Sequence, residues 1–300
     1  MPSDSHSDSL SESMVFDKKF ATVEGKRIAY VEEGTGDPIV LLHGNPTSSF
    51  LWRNVIPQLT ESGRVIVPDL IGQGDSEKLP KNEGAERYSL EVAYTYVAGL
   101  LDVIDANQNV TLVIHDWGSA IGFMWAMRHA DDVKGVAYME AIVCPVTWSD
   151  WPESAVGIFK GFRSDKGEDL ILKRNMFIEG VLPSSVIRDL TPAEMDAYRA
   201  PHIDPDDRQP LLNWPRQIPI DGEPADVVAL VESYGAFMAS SAFPKLFINA
   251  DPGSILVGPQ REFCRSWPNQ QEITVKGLHF IQEDSPVEIG QAVTHWLASQ

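Results

Sequence analysis

Apolar residues in this chain gather into short continuous runs separated by turn formers, the pattern of strands buried on both faces. FATVEGKRIAYVEEG reads as two strands around a Glu24-Gly25 turn. DPIVLLHGNP, RVIVPDLIGQG, VTLVIHDWGSA, VKGVAYMEAIV, FPKLFINADPG and QEITVKGLHF then repeat the same run-and-turn pattern. Between most of them lie stretches at helical period, such as SLEVAYTYVAGLLDVID and SAIGFMWAMRHA. This alternation predicts an α/β protein built on a mostly parallel, doubly wound sheet.

The alternation stops between Val146 and Asp226, where helical patterns dominate. TPAEMDAYR carries a helix start signal there, with Thr191 as cap, Pro192 in the first turn and Glu194 as the capping-box acid. About 80 residues between two strands far exceed an ordinary connection. The stretch is therefore expected to form a helical cap over residues 146–226, dividing the core into 16–145 and 227–300. Ser285, Pro286 and Glu288 repeat the start signal before a final helix. Residues 1–15, rich in Ser and Asp, read as a disordered tail.

Composition narrows the partners. The chain has 43 acidic against 24 basic residues, a net charge of −19 that repels phosphate backbones and anionic lipid. No stretch approaches the roughly 18 apolar residues of a membrane span. Nucleic acid and membrane are thus not expected as partners. The N-terminal segment lacks a basic start and an apolar stretch, so no secretory signal is seen and a cytoplasmic protein is expected. Cys144 and Cys264 stand alone, without the spacing of a disulfide framework or a zinc site.

The chemistry concentrates in VTLVIHDWGSAIGFMW, where a buried strand runs into Asp116 and then into a helix, with Gly118, Ser119 and Ala120 at the turn. A sharp strand-to-helix reversal of this kind is the nucleophile elbow of the α/β-hydrolase fold, usually Gly-x-Ser-x-Gly. Here the exposed residue is Asp, and Ile114 takes the first small position. The earlier strand ending His43-Gly44 is placed to supply an oxyanion hole from the main-chain N–H groups of Asn45 and Trp117. His279, in the loop after the last strand, stands where this fold carries its base.

HGNPTSSFLW, DLIGQGDS, HDWGSA, YMEAI, NWPRQIPI, KLFINADPG and HFIQEDSP together resemble the haloalkane dehalogenases, from about Phe16 to Trp296. The resemblance is to the branch whose catalytic acid follows the sixth strand. It implies an α/β-hydrolase fold with an inserted helical cap, and hydrolysis of a small haloalkane by water to an alcohol, halide and a proton, through an alkyl ester. By it Asp116 is the nucleophile, His279 the base and Glu140 the acid that orients the base; Asp251, at the position more usual across the fold, is the alternative. It makes Asn45 and Trp117 the side chains that bind the departing halide, and places Phe159, Phe177, Val181, Trp214, Pro215, Ile218, Ser254 and Ile255 around the substrate pocket. Ser185 matches a tunnel-mouth position that is often bulkier. No metal or organic cofactor is implied. Epoxide hydrolases share the Asp elbow, but they commonly protonate an alkoxide with two cap tyrosines, whereas Tyr198 stands alone between residues 146 and 226.

Overall fold

A computed structural model describes residues 10–84 and 86–300. Eight strands form one sheet: β1 (Lys18–Val23), β2 (Lys26–Glu33), β3 (Pro38–Leu42), β4 (Arg64–Pro68), β5 (Val110–Asp116), β6 (Val133–Ala141), β7 (Lys245–Pro252) and β8 (Gln270–Gly277). Their order is β1-β2-β4-β3-β5-β6-β7-β8. The β1–β2 and β2–β4 pairs are antiparallel and the others parallel. Glu24 and Gly25 turn the β1–β2 hairpin with φ of 47° and 73°, the two positive values a two-residue hairpin turn needs.

The burial of each strand follows its place in the sheet. Every residue of β3 and β5 is buried, whereas β1 and β8, on the two edges, alternate or stay largely open. Val110, Leu112, Val113 and Ile114 of β5 are 0% exposed, and together contribute roughly 6–12 kcal/mol of apolar burial. That exceeds the ~1–3 kcal/mol that one strained backbone position carries. β5 can therefore hold an unfavourable conformation at its end.

β3 lies between β4 and β5, so the chain's path reverses beside it. A parallel sheet opens a crevice at such a switch point, beyond the carboxyl ends of the strands. The ends of β3, β5 and β6 and the loop after β8 all converge on that crevice.

Between β6 and β7 the described elements are helical, including Glu153–Arg163, Gln209–Gln217 and Ala225–Ser240. Two short stretches, Glu168–Lys173 and Phe177–Val181, have π-helical geometry. Val146 N–H donates to Pro219 O at 3.0 Å and Asp221 N–H to Val146 O at 2.9 Å, so the excursion leaves and returns at one point. Thr191 and Glu194 form the full capping box at the start of Pro192–Arg199.

A buried knot of charge ties this helical segment to the core. Arg53 donates both Nη groups to Glu283 at 2.7 and 2.8 Å, and Nη2 also to Glu194 at 2.6 Å. Arg188 bridges the same two carboxylates, and Tyr198 donates its hydroxyl to Glu283. Two guanidinium groups thus face two carboxylates, balancing charges that burial alone would expel.

One local expectation fails. Ser285 precedes the final helix Pro286–Ala298, but its hydroxyl donates to Lys276 O at 2.7 Å and caps nothing. A nearer carbonyl has captured it. The tail expectation for residues 1–9 lies outside the described residues, and Ser11 is not loose: its carbonyl accepts Arg53 Nε at 2.7 Å and its N–H donates to Asn54 Oδ1 at 2.8 Å. The remaining Arg53 donor fixes the chain there.

Candidate active site

Asp116 ends β5 with φ 50° and ψ −131°, a conformation outside the regions open to ordinary L-residues. The helix Trp117–Arg128 starts at the next residue, so the chain reverses within one peptide. Small residues make this possible. A Cβ on Gly118 would lie 2.4 Å from Leu42 O, and one on Gly122 would lie 2.7 Å from the Ile114 side chain. The Ser119 hydroxyl donates to Asp116 O and accepts from Ile142 N–H at 2.9 Å, binding the turn to the strand beside it.

The loop after β3 approaches the same carboxyl. Asn45 N–H donates to Asp116 Oδ1 at 2.7 Å. A Cβ on Gly44 would meet that oxygen at 1.9 Å, so no other residue fits. His43, fully buried, accepts from Leu70 N–H at 3.0 Å through Nε2 and contacts Gly44 O at 2.9 Å through Nδ1. Burial lowers its pKa to about 4, so it stays neutral and acts as a rigid brace.

His279 faces two carboxylates. Its Nε2 is 3.3 Å from Asp116 Oδ2 and its Nδ1 is 3.2 Å from Glu140 Oε2. Glu140, at the end of β6, is 1% exposed and also accepts main-chain N–H groups from Ser254, Ile255 and Leu256 at 3.0, 2.9 and 3.4 Å. Asp251 is exposed at the end of β7 and makes no hydrogen bond to His279. The acid facing His279 is therefore Glu140.

The electrostatics follow from these contacts. Burial works to lower the His279 pKa, but its bonds to Asp116 and Glu140 outweigh that and raise it to about 9. Burial works to raise the pKa of Asp116, yet the hydrogen bond and charge of His279, with a smaller part from Trp117 N–H, hold it below the usual carboxylate value. At neutral pH His279 therefore rests as an imidazolium, its two ring nitrogens against Asp116 and Glu140.

A cavity of about 740 Å³ opens over Asp116. Phe159, Phe177, Val181, Pro215, Ile218, Ser254 and Ile255 lie on its wall with Asn45 and Trp117. Trp214 is not among these wall residues: it is 1% exposed and packs against Trp117, ring centroids 4.8 Å apart. Sequence reasoning missed Ile142, Trp151, Leu278 and Phe280 on the same wall. Ile142, Leu278 and Phe280 each lie within two residues of Glu140 or His279, a signal that could have found them; Trp151 carries none.

Asn45 is 3% exposed and neither its Oδ1 nor its Nδ2 has a partner, although buried amides are almost always bonded. The amide borders the cavity beside Asp116. Among the described residues no group of His, Cys, Asp or Glu could hold a metal ion, and no helix is long and apolar enough to cross a membrane.

A parallel sheet with a strained Asp at a strand-to-helix elbow, a main-chain donor against its carboxyl and a carboxylate-bound His after the last strand defines an α/β hydrolase. A family model of the alpha/beta hydrolase fold matches residues 37–172. The sequence is 54% identical over 278 residues to a haloalkane dehalogenase of Sphingobium indicum, covering 92% of this chain and 94% of that one. It is 49% identical to one of Mycolicibacterium smegmatis, covering 93% and 90%. The crystal structure of haloalkane dehalogenase DbeA from Bradyrhizobium elkani superposes with a TM-score of 0.90 at 38% identity, over 95% of this chain and 98% of that one. The chain belongs to the haloalkane dehalogenases, hydrolases that act on carbon–halide bonds.

Proposed function

We propose that Asp116 displaces halide from a haloalkane and that His279 then drives water onto the resulting ester. An alkyl halide has no carbonyl to attack, so the first step is substitution at saturated carbon. A carboxylate ionised at neutral pH needs no base for it. Oδ1 is engaged by Asn45 N–H, leaving Oδ2 as the attacking oxygen. The unpartnered Asn45 amide is the observation that carries the halide assignment. With the Trp117 indole it offers N–H donors to a leaving group that accepts charge and not a proton. At ~1.5–3 kcal/mol for each bond to a charged group, the pair would supply roughly 10²–10⁴ in rate.

The second step uses the same geometry. Alkylation cancels the Asp116 charge, one of the two contacts that raise the His279 pKa. Burial then prevails, His279 releases its proton, and the free Nε2 can take one from water. Water attacks the ester carbon, Oδ1 becomes an oxyanion facing the Asn45 and Trp117 N–H groups, and the alcohol leaves with Oδ2. The cycle restores Asp116 carboxylate and His279 imidazolium, and releases one halide and one proton for each water consumed. Glu140 stabilises the imidazolium each time it forms.

Opening an epoxide would require an acid for the departing alkoxide. No tyrosine lies on the cavity wall among the described residues, and Tyr198 is committed to Glu283. The segment 146–226 serves as the cap that keeps the cavity apolar, which suits substrates recognised by hydrophobic burial. The two unpaired thiols suit a reducing compartment such as the cytoplasm.

The test is halide release from 1,2-dibromoethane and 1-chlorohexane, followed with a pH indicator in weak buffer. Equal release of halide and acid is expected. No release across a panel of chloro- and bromoalkanes, with diol formed from an epoxide, would overturn the proposal.

A further inference from the structure

Asp116 has a neighbour on β5 that the two chemical steps leave unused. His115 is 0% exposed and its Nε2 lies 2.8 Å from the carbonyl oxygen of His279. The two imidazole rings pack with centroids 4.7 Å apart, and the His115 ring also touches Phe280 at 5.7 Å. Its Nδ1 is buried without a partner. A carbonyl oxygen only accepts, so Nε2 carries the hydrogen and Nδ1 is the bare nitrogen. A ring kept solely for packing would be better served by phenylalanine, which strands no polar atom.

The other end of the same residue is held as well. His279 N–H and Phe280 N–H both donate to Ser185 O at 3.1 Å. His279 stands on a loop between β8 and a short helix, Ile281–Asp284, with no ladder of its own. Yet its ring must meet two carboxylates at once, and a site of this kind tolerates only about 0.5 Å of error. Its main chain is fixed through the carbonyl by His115 and through the N–H by Ser185.

We propose that His115 is a positioning residue: its Nε2–H anchors the His279 carbonyl, so that one strand carries both the nucleophile and the tether of the base. This rests on His279 acting as the base in ester hydrolysis. Burial, and then the charge of His279, lower the His115 pKa to about 3, so the ring stays neutral at working pH and never adds a second cation. His115 is fully buried and off the cavity wall, so the tether does not crowd the substrate.

The experiment compares full-length wild type, His115→Phe, His115→Gln and His279→Ala by rapid quench with excess 1,2-dibromoethane, reading the bromide burst and the mass of the intact protein. Phe keeps the ring and removes the donor; Gln can replace the donor. In His115→Phe alkylation should stay within about twofold of wild type while ester hydrolysis slows about fivefold, the effect of one neutral hydrogen bond. Ester should therefore accumulate. His115→Gln should recover most of the hydrolysis rate.

If His115→Phe hydrolyses ester as fast as wild type, or slows both steps equally, the positioning role is wrong. His279→Ala separates this from the underlying reading: it should trap the ester outright, and failure to trap it would remove His279 as base, whatever His115 does. Nitrogen-15 NMR of wild type needs no variant to fold. It should show His115 as the neutral Nε2–H form down to about pH 4, and an Nδ1–H form would overturn the proposal.

Discussion

Replacing Glu140 by Gln keeps the shape of the side chain and removes its charge, which isolates what that charge does. Oε2 now accepts from His279 and from two main-chain N–H groups, while Oε1 faces Leu256 N–H at 3.4 Å. With the amide oxygen at the Oε2 place, the amide nitrogen points a donor at Leu256 N–H; with the groups exchanged, it points one at His279. Either orientation leaves a donor unmatched. A hydrogen bond to a charged partner is worth ~1.5–3 kcal/mol and a neutral one ~0.5–1.5, so about 1–2 kcal/mol of imidazolium stabilisation is lost. That slows ester hydrolysis by roughly 5- to 30-fold. Alkylation should change little, since Asp116 keeps its Asn45 N–H donor. Stopped-flow bromide release with quenched alcohol measurements would show a full burst followed by slow turnover. Asp251→Asn, at the exposed end of β7, should behave as wild type. Normal turnover in Glu140→Gln together with loss in Asp251→Asn would refute the reasoning.

Asn45→Ala keeps the main-chain donor and deletes the amide; alkylation and bromide affinity should each fall about tenfold, read from burst rate and from bromide inhibition. Arg53→Met leaves Glu283 and Glu194 buried without their shared cation, and urea unfolding should show a loss of ~3–5 kcal/mol. The His279 pKa is raised from 6.5 to about 9 on folding. The stability this contributes, on the order of 3 kcal/mol, is complete below pH 6.5 and disappears as pH rises through about 9. Urea midpoints should fall across that window in wild type and stay flatter in His279→Ala.

The strands were legible because β3, β5 and β6 are buried along nearly their whole length, and continuous apolar runs have few other uses. Asp116, the His43-Gly44 turn and His279 were legible because each sits where a strand meets a turn, a local pattern. The choice between Glu140 and Asp251 depends on which carboxylate points at His279, which local sequence does not carry. Whether an aromatic such as Trp214 lines the cavity or packs against a lining ring is not carried by local sequence, since both favour the same residue type. Arg53 and Glu283 meet across 230 positions, and nothing near either one announces the other. His115 reads in sequence like any buried strand residue until the loop that touches it is in view.

The two oxygens of Asp116 are not equivalent, since Asn45 N–H holds Oδ1 while Oδ2 faces His279. By the proposed mechanism the alcohol departs with an atom from the protein, and water refills the place left behind. In water enriched with oxygen-18, the first molecule of alcohol from each enzyme is unlabelled and the second is labelled, so the isotope emerges one turnover late. For as long as the carboxylate does not rotate, each protein molecule retains a single heavy oxygen, and the atom under Asn45 is the one it was synthesised with.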